Sequence, residues 1–302
     1  MGTRYTAVFH ASAQVDAPLI AARLFAAVDK VDRQMSTWKP DSDLNRLNAA
    51  PQHQWQTMPE ELITVLEASL QVGRQSSGAF DIGVGDLVGA WGFGPGSGQP
   101  DERQIDFLKE RTRLPSTEAL EIDRARGMVR KKTPIMLDLS GIAKGYGVDA
   151  LAHCLDGFGI TSYLVGIDGE MRARGLKPDG RAWAVALEKP LPGVREAMGV
   201  MELTDTAIAT SGDYRHRIRI NGRIQSHTMD PTLRKPSDNG VASVTVIAPT
   251  CMLADAWATA LLVLGEDAGA RLARERGLEA LFVLHHDKGF RQLYVGREQQ
   301  VG

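Results

Sequence analysis

Hydrophobic residues recur with helical spacing in two segments of the first third of the chain. Between residues 16 and 35 they return every three or four positions, which is the period of one face of an α-helix. Residues 59–76 repeat the pattern, and Pro59 followed by Glu60 and Glu61 is typical of a helix start. The spacing therefore predicts two amphipathic helices. The polar stretch between them, rich in Ser, Asn, Asp and Pro, predicts a loop with a short helical turn.

Short segments of alternating apolar and polar residues predict β-strands, most of them in the second half of the chain. A first strand is predicted over residues 4–10, and an apolar one over 134–140 precedes a glycine-flanked helix start. Two further helices are predicted over 253–264 and 266–275. Because strands follow one another with few helices between them, we expect an α+β fold with mainly antiparallel sheets and packed helices. The other predicted strands cover residues 162–167, 182–187, 199–203, 206–210, 216–221, 241–247, 279–284 and 291–295.

The composition is that of an ordinary globular protein, with 43% hydrophobic and 24% charged residues. We expect one catalytic domain over residues 1–302, built as a single body or as two closely packed lobes. A net charge of -2 offers no basic field for nucleic acid, and no run is apolar enough to span a membrane. Cys154 and Cys251 fit neither a disulfide framework nor a zinc site. The N-terminus lacks a secretory signal, which predicts a cytoplasmic protein as written, or a periplasmic enzyme or lipoprotein if a leader was removed.

Residues 78–98 contain eight glycines in 21 positions. Such a backbone approaches a ligand closely or forms a flexible linker, and apolar residues such as Phe80 and Trp91 favour an ordered, ligand-lining loop. The segment fits neither the GxGxxG nor the Walker pattern. The predicted strand at 134–140 with its glycine-flanked helix start is a candidate anion site, in which Lys144 either reinforces binding or is simply solvated.

Asp255 and Thr259 lie four residues apart in a segment that is otherwise apolar, Leu253 to Gly265. Positions i and i+4 share one face of a helix, so a carboxylate and a hydroxyl project together. Paired oxygen ligands suit a hard cation such as Mg²⁺, which would compensate a buried carboxylate. In the alternative interpretation, Asp255 caps or begins the helix and Thr259 bonds back to a backbone carbonyl.

Two polar clusters, TSGDYRHR at 210–217 and SHTMDP at 226–231, precede this helix. They are separated by an apparent hairpin whose turn is Asn221-Gly222. The hairpin would bring both clusters to one edge of the sheet, where their side chains could bind phosphate or accept a proton. The alternative is that both clusters are ordinary turns. The side chains expected at that edge are those of Thr210, Ser211, Asp213, His227 and Asp230.

Eight motifs occur in an order that resembles one family. They are MGT at 1–3, MSTW at 35–38, GAFD with the following WGFGP, LDLSGIAKGYGVD, GEMRARG, ATSGDYR, SHTMDP and ADAWATAL. Together they span residues 1–261, and they resemble the motifs of FAD:protein FMN transferases, the ApbE family. The resemblance implies the T-fold-like flavin transferase architecture of that family.

The resemblance also implies a reaction. The enzyme would move the FMN moiety of FAD to a Thr or Ser hydroxyl of an acceptor flavoprotein, form a phosphoester and release AMP, with Mg²⁺ as cofactor. Mg²⁺ would act as Lewis acid and template on the pyrophosphate. By resemblance, Asp255 and Thr259 supply side-chain ligands and Ala143 and Ala258 supply backbone oxygens. His227 would be the general base, since an unperturbed pKa of about 6.5 suits that task.

The same resemblance assigns the FAD site. Trp38 and Tyr146 would contact aromatic rings or ribityl hydroxyls of the ligand. Two readings compete with transfer: Mg²⁺-dependent hydrolysis of FAD to FMN and AMP, and non-catalytic FAD binding. The residues implied to bind FAD are Met1, Trp38, Ala79, Phe80, Asp81, Ser140, Tyr146 and Met229.

Two positions depart from the family pattern. Asp168 stands where the family commonly has the first of two glycines, which could alter the backbone or add a charge near the ligand. After Asp230 and Pro231 the family continues with Arg-Thr-Gly, whereas this chain has Thr, Leu and Arg234. We therefore expect a differently shaped loop after Asp230.

Overall fold

The structure, a computed structural model, describes residues 2–12, 14–96, 98–191, 193, 196–213, 217–220, 223–287 and 289–296. It divides into two compact units. Unit 1 contains Met1–Lys30, Lys144–Arg215 and Gly240–Gly302, and unit 2 contains Val31–Ala143 and His216–Asn239. The prediction of one catalytic domain stays a prediction.

Eight helices are present in the described part of the chain, and none of them is both long and apolar enough to cross a bilayer. The predicted helices at 16–35 and 59–76 are confirmed, and the short helical turn between them is α2. The helices are α1 Ala17–Met35, α2 Asp43–Ala49, α3 Glu60–Gln75, α4 Gly85–Ala90, α5 Glu102–Glu110, α6 Ser116–Ala119, α7 Ala143–Gly157 and α8 Cys251–Arg276.

The described strands are short, and all named strand pairs are antiparallel. The fold class, α+β with mainly antiparallel sheets, is confirmed. The strands are β1 Tyr5–Phe9, β2 Gln56–Thr57, β3 Leu120–Asp123, β4 Met128–Lys131, β5 Tyr163–Ile167, β6 Glu170–Arg174, β7 Trp183–Glu188, β8 Ala197–Leu203, β9 Ala207–Gly212, β10 Arg217–Ile220, β11 Arg223–Ser226, β12 Met229–Asp230, β13 Lys235–Pro236, β14 Val241–Ala248, β15 Glu279–His286 and β16 Gly289–Val295.

Unit 1 is built on a seven-stranded sheet in the order β1-β5-β6-β9-β14-β15-β16. The helix α8 packs on β9 and β14, and the β7–β8 hairpin contributes Trp183, Val185 and Leu203 to an apolar cluster with Ile208 of β9. The helix α7 contributes to a second cluster with α1 and β5. Two helices were predicted where α8 lies, and Gly265 interrupts α8 between them with φ 78 and ψ -172. Only a residue without a side chain takes that conformation readily.

Unit 2 contains α2 to α6, a three-stranded sheet in the order β2-β4-β3, and the two-stranded sheets β10-β11 and β12-β13. One apolar cluster joins α4, α5 and β12 through Leu87, Ile105, Leu108 and Met229. The segment 78–98 is ordered in its described part, because α4 lies within it and Leu87 and Ala90 are buried. The linker alternative for this segment is therefore wrong.

The predicted strand over 134–140 is wrong, since only Met136 makes an isolated bridge, with Val84. The Gly85 N–H donates to the Met136 carbonyl at 2.9 Å and the Asp138 N–H to the Ile82 carbonyl at 2.8 Å, but a side chain engages the backbone between them. The amide of Asn48 donates to the Leu137 carbonyl at 3.0 Å, and its oxygen accepts the Leu137 N–H at 2.8 Å. The apolar segment is therefore held by α2 and by backbone hydrogen bonds to residues 82–85 rather than by a continuous sheet ladder.

The prediction that Ser211 and His227 share one sheet edge is also wrong. Ser211 lies on β9 of the seven-stranded sheet, whereas His227 directly precedes β12 of a separate two-stranded sheet. The same separation holds for the other members of the two clusters, Thr210, Asp213 and Asp230. Strands β10 and β11 do pair as the hairpin predicts, with Ile220 opposite Arg223, but the turn at Asn221-Gly222 lies outside the described residues.

Candidate functional site

In unit 1, α7 and α8 each supply an aspartate that accepts N–H groups from the first turn of the other helix. Asp255 of α8 accepts the N–H of Gly145 in the first turn of α7 at 3.0 Å. Asp149 of α7 accepts the N–H groups of Cys251 and Met252 in the first turn of α8 at 3.0 and 2.9 Å. Each helix thus receives a negative group at its positive end.

The close contact between the two helices explains the glycine in the first turn of α7. A Cβ atom on Gly145 would lie 2.3 Å from the carbonyl oxygen of Cys251 and 2.8 Å from Cα of Met252. These are backbone atoms, so no side-chain rotation would relieve the clash. Position 145 therefore requires glycine if Asp255 is to reach the end of α7.

Asp255 is not the N-cap of its own helix. Thr250 holds that position, with its hydroxyl accepting the N–H of Leu253 at 3.4 Å. Thr259 does not bond back to a carbonyl among the described residues; its hydroxyl lies 3.0 Å from that of Ser211 on β9. Both parts of the capping alternative are therefore wrong, and the i, i+4 pair needs another explanation.

The carboxylate of Asp255 lies in an electrostatically unfavourable place. The residue is only 3% exposed. Burial, and then the negative charge of Glu170, raise its pKa to about 7, although Lys144 and the Gly145 N–H act in the opposite direction. The groups around Asp255 therefore leave its negative charge incompletely compensated.

Lys144 is the cation of this cluster. Its Nζ donates to Oε1 of Glu170 at 2.5 Å and lies 4.0 Å from Oδ2 of Asp168. Burial opposes its charged form, but the carboxylates of Glu170 and Asp255 hold the pKa of Lys144 above its usual range. Among the described residues, the buried Oε2 of Glu170 has no hydrogen-bond partner. One ammonium thus faces three carboxylates, those of Asp168, Glu170 and Asp255.

The charges of this cluster would be better balanced with a bound divalent cation than by the groups of the protein alone. A second positive group beside Asp255 would balance the excess carboxylate charge, and the oxygens of Asp255 and Thr259 suit Mg²⁺. No group of three or more His, Cys, Asp or Glu side chains arranged to hold a metal occurs within the described ranges. The predicted ligand set does not require one, since it combines one carboxylate and one hydroxyl with backbone oxygens of Ala143, which begins α7, and of the fully buried Ala258.

In unit 2 the segment around Asp81 is held by its own side chains. Oδ1 of Asp81 accepts the N–H groups of Gly83 at 2.8 Å and Ser116 at 3.2 Å, and the Phe80 N–H donates to the hydroxyl of Ser76 at 3.1 Å. Ala79, Phe80 and Asp81 are all buried. Because the Asp81 carboxylate is engaged in the loop, a ligand at this segment would meet mainly backbone atoms.

Trp38 is presented on a fixed loop. Its side chain is 66% exposed, while the loop is held by the hydroxyl of Ser42 on the Ser36 carbonyl at 2.7 Å and by Asn45. The Asn45 amide donates to the carbonyls of Thr37 at 3.0 Å and Lys39 at 2.8 Å. An exposed indole on a rigid backbone can stack on a flat ligand with little loss of side-chain entropy.

His227 is half-buried at the start of the β12–β13 hairpin, with its ring edge-on to Phe93 at a centroid distance of 6.5 Å. Met229, two residues further, is buried in the cluster with α4 and α5. Ser140 is exposed, its N–H bonded to Oδ1 of Asp138 at 2.7 Å, and Tyr146 is half-buried in the first turn of α7. Met1 lies outside the described residues.

The sequence did not indicate two residues around this site, one in the Lys144 cluster and one in the α7–α8 contact. Glu170 and Asp149 both lie within quoted motifs, GEMRARG and LDLSGIAKGYGVD, so the motifs were the available signal. Their roles depend on the register that pairs Ile167 with Glu170 and on the α7–α8 contact, which spacing does not reveal.

Known proteins resemble this chain over most of its length. The model of the ApbE family matches residues 1–282. FAD:protein FMN transferase of Vibrio cholerae serotype O1 is 37% identical over 295 residues, covering 97% of this chain and 87% of that protein. The enzyme of the same name from Klebsiella pneumoniae is 35% identical over 295 residues, covering 96% and 84%.

Solved structures agree with these relatives. Flavin Transferase ApbE from Vibrio cholerae has a TM-score of 0.87 at 35% identity and covers 97% of this chain and 94% of its own. The apo form of Pseudomonas stutzeri flavinyl transferase ApbE has a TM-score of 0.84 at 36% identity, covering 96% and 90%. The fold expected from the resemblance is confirmed.

Proposed function

The chain belongs to the ApbE family and is an FAD:protein FMN transferase. We propose that it transfers FMN from FAD to a Thr or Ser hydroxyl in a Mg²⁺-dependent reaction. The hydroxyl oxygen of the acceptor protein forms a bond to the phosphorus of the FMN half. The bond from that phosphorus to the oxygen bridging to AMP breaks, and AMP leaves with this oxygen. The hydroxyl proton passes to a base.

The observation that carries the proposal is the incompletely compensated carboxylate of Asp255. Asp255 and Thr259 are the proposed side-chain ligands, with backbone oxygens of Ala143 and Ala258 as the further protein ligands. When bound, Mg²⁺ would supply positive charge to the pyrophosphate oxygens. The protein's part is to keep Asp255 in place, through the Gly145 N–H and the close contact of α7 with α8.

In this proposal the ammonium group of Lys144 binds the phosphate groups of FAD. Lys144 stands in the first turn of α7, where the positive end of the helix dipole favours an anion. Glu170 holds its ammonium group through the 2.5 Å hydrogen bond, so the charge is fixed before substrate arrives. A group positioned in advance stabilises developing charge without reorganisation.

His227 is the proposed general base, and Trp38, Ala79, Phe80, Asp81, Ser140, Tyr146 and Met229, with Met1, are the proposed FAD contacts. An imidazole suits proton transfer near neutral pH. The exposed indole of Trp38 supports an aromatic ring of FAD, whereas the buried Ala79, Phe80 and Asp81 offer backbone atoms.

Mass spectrometry tests the reaction. The protein is incubated with FAD, Mg²⁺ and an acceptor domain that contains a flavinylation site, and the acceptor is examined for the added mass of FMN. We expect the adduct and AMP in equal amounts, and neither with chelator present. The variant His227→Ala should lower the transfer rate about 10²-fold or more, whereas His286→Ala, an exposed histidine on β15, serves as the matched control.

The outcome separates the competing activities. AMP release at the same rate without acceptor would identify a hydrolase, and unchanged FAD in the presence of Mg²⁺ and a competent acceptor would identify a binding protein. Either result would overturn the transferase mechanism proposed for these residues.

A further inference from the structure

Arg234 adopts a left-handed backbone conformation in the turn between β12 and β13, with φ of 55. The turn is closed by Asp230, whose carbonyl accepts the Arg234 N–H at 2.8 Å and whose Oδ1 accepts the N–H groups of Thr232 and Leu233, each at 2.8 Å. Glycine takes this conformation without strain, whereas an arginine in it costs free energy. The contacts of the arginine side chain must therefore offset a backbone cost.

The side chain of Arg234 makes three such contacts. Its Nη1 donates to the carbonyls of Leu108 at 3.2 Å, Lys109 at 2.6 Å and Arg111 at 2.8 Å. These carbonyls end α5, where the last turn of a helix leaves acceptors without intrahelical partners and carries partial negative charge. A guanidinium group there caps the helix and ties the turn to it.

The hairpin is attached to α5 at a second point. Met229 of β12 is 5% exposed and packs in one apolar cluster with Ile105 and Leu108 of α5. Next to it, the Ser237 N–H donates to the Thr228 carbonyl at 2.8 Å and closes the hairpin. Thr228 follows His227 directly, so the imidazole stands at the end of a hairpin held by Met229 on one strand and Arg234 in the turn.

We propose that Arg234 is a positioning residue that holds the His227 hairpin on α5 and thereby fixes the imidazole for proton transfer. This inference rests on the proposed function, in which His227 is the base. The clamp acts through backbone geometry, since Arg234 contacts α5 and not the reacting atoms. A base must lie within hydrogen-bond reach of the proton it receives, so small displacements of the hairpin reduce the rate of transfer.

The variant Arg234→Gly separates the side chain from the backbone. Glycine accepts φ of 55 without strain, so this change removes the guanidinium group and leaves the turn conformation available. His53→Gly is the matched control, because His53 is exposed, lies in the same unit and also has a positive φ, of 63. Arg234→Lys keeps a cation and a donor at the end of α5.

Hydrogen exchange measured by mass spectrometry gives the direct readout. In Arg234→Gly we expect exchange in the peptide covering residues 228–237 to be about tenfold faster, as the loss of charge-assisted hydrogen bonds implies. Turnover in FMN transfer should fall about tenfold with the KM for FAD unchanged, because positioning of the base is lost and FAD binding is not. Arg234→Lys should recover part of both effects, and His53→Gly should show neither.

The clamp is overturned if Arg234→Gly exchanges at the parental rate. The positioning role is overturned if exchange rises but turnover does not fall, or if the KM for FAD rises by the same factor as turnover falls. A wild-type protein that transfers no FMN would instead contradict the proposed function, and the exchange rates of the variants would still decide whether the clamp exists.

Discussion

Two buried aspartates, Asp149 and Asp255, bridge the same pair of helices in opposite directions, yet their surroundings differ. Asp149 accepts two N–H groups of α8 and forms an ion pair with Arg172 at 2.6 Å. Asp255 accepts a single N–H group of α7, and the charge of Glu170 opposes its ionised form. The first carboxylate is compensated by the protein, and the second only in part.

At equal burial, the number of N–H donors and the sign of the neighbouring charges distinguish the two carboxylates. A buried charge with enough donors stabilises the fold, whereas one facing a second carboxylate costs stability unless a further positive group arrives. Asp156 of α7 is also compensated, because Tyr163 donates a hydrogen bond to it at 2.9 Å and Arg174 forms an ion pair with it. In the cluster of Lys144, Glu170 and Asp255, the carboxylate charge exceeds the charge of the one ammonium group.

Replacing each of the two aspartates with the isosteric asparagine tests this contrast. We expect the largest change in the free energy of unfolding here. Asp149→Asn should lower the free energy of unfolding by about 3 kcal/mol, because it breaks a buried ion pair and leaves Arg172 without its partner. In the metal-free protein Asp255→Asn should change it by less than about 1 kcal/mol, since the repulsion with Glu170 is removed and an acceptor for Gly145 remains. Urea unfolding of both variants gives the two values. Equal losses would abolish the distinction.

The contact that both aspartates share can be broken at Gly145. In Gly145→Ala the new methyl group meets the Cys251 carbonyl oxygen, so α7 and α8 must separate. We expect a loss of about 1–3 kcal/mol in the free energy of unfolding, the usual cost of overpacking. Gly157→Ala, at the last residue of α7 with no atom within 4 Å of the added Cβ, is the control and should not destabilise. A neutral Gly145→Ala would mean that the helices tolerate separation.

The pH dependence of unfolding tests the contribution of Tyr163, which donates to the compensated carboxylate of Asp156. Burial, reinforced by the hydrogen bond to Asp156, raises the pKa of Tyr163 well above its ordinary value of about 10. For a raised pKa the stabilisation is complete below pH of about 10 and is lost as pH rises towards the folded-state value. Tyr163→Phe should cost about 1 kcal/mol at pH 7 through the lost hydrogen bond. The difference between wild type and variant should shrink above pH of about 10, and a constant difference would contradict the account.

The smallest effect is expected at the edge of the uncompensated cluster. Asp168 has φ of 55 in the β5–β6 turn and lies 4.0 Å from Lys144 with both side chains about one third exposed. Asp168→Gly relieves the backbone strain and removes a solvent-screened ion pair, so the free energy of unfolding should change by less than about 1 kcal/mol. Thermal unfolding measures it. A loss of unfolding free energy as large as that expected for Asp149→Asn would show that Asp168 stabilises the fold as Asp149 does.

Much of the fold could be predicted because local periodicity reports burial. The amphipathic spacing of α1 and α3 and the alternation of β5 and β14 mark faces that the core covers. Residues 134–140 form no strand because their backbone pairing with residues 82–85 is limited to an isolated bridge, while the side chain of Asn48 binds the backbone of Leu137. A contact between residues 89 positions apart leaves no periodic trace in the sequence.

The candidate site was predictable in part, through spacing on one helix and through ordered motifs. The pair Asp255 and Thr259 follows from helical geometry alone. The engagement of Lys144 by Glu170 depends on strand register, and the clamp of Arg234 on α5 joins residues more than a hundred positions apart. Such contacts are properties of the tertiary fold, which is why the sequence pointed to His227 without indicating what holds it.

We propose that Asp255 holds Mg²⁺, and the direct measurement is a calorimetric titration of Mg²⁺ into the FAD-saturated protein without acceptor. Wild type should bind with a saturable heat signal. The folded fraction of Asp149→Asn should bind with the same affinity, whereas Asp255→Asn should bind at least about 10²-fold more weakly because a charged ligand is lost. Binding by Asp255→Asn at the wild-type affinity would contradict the account.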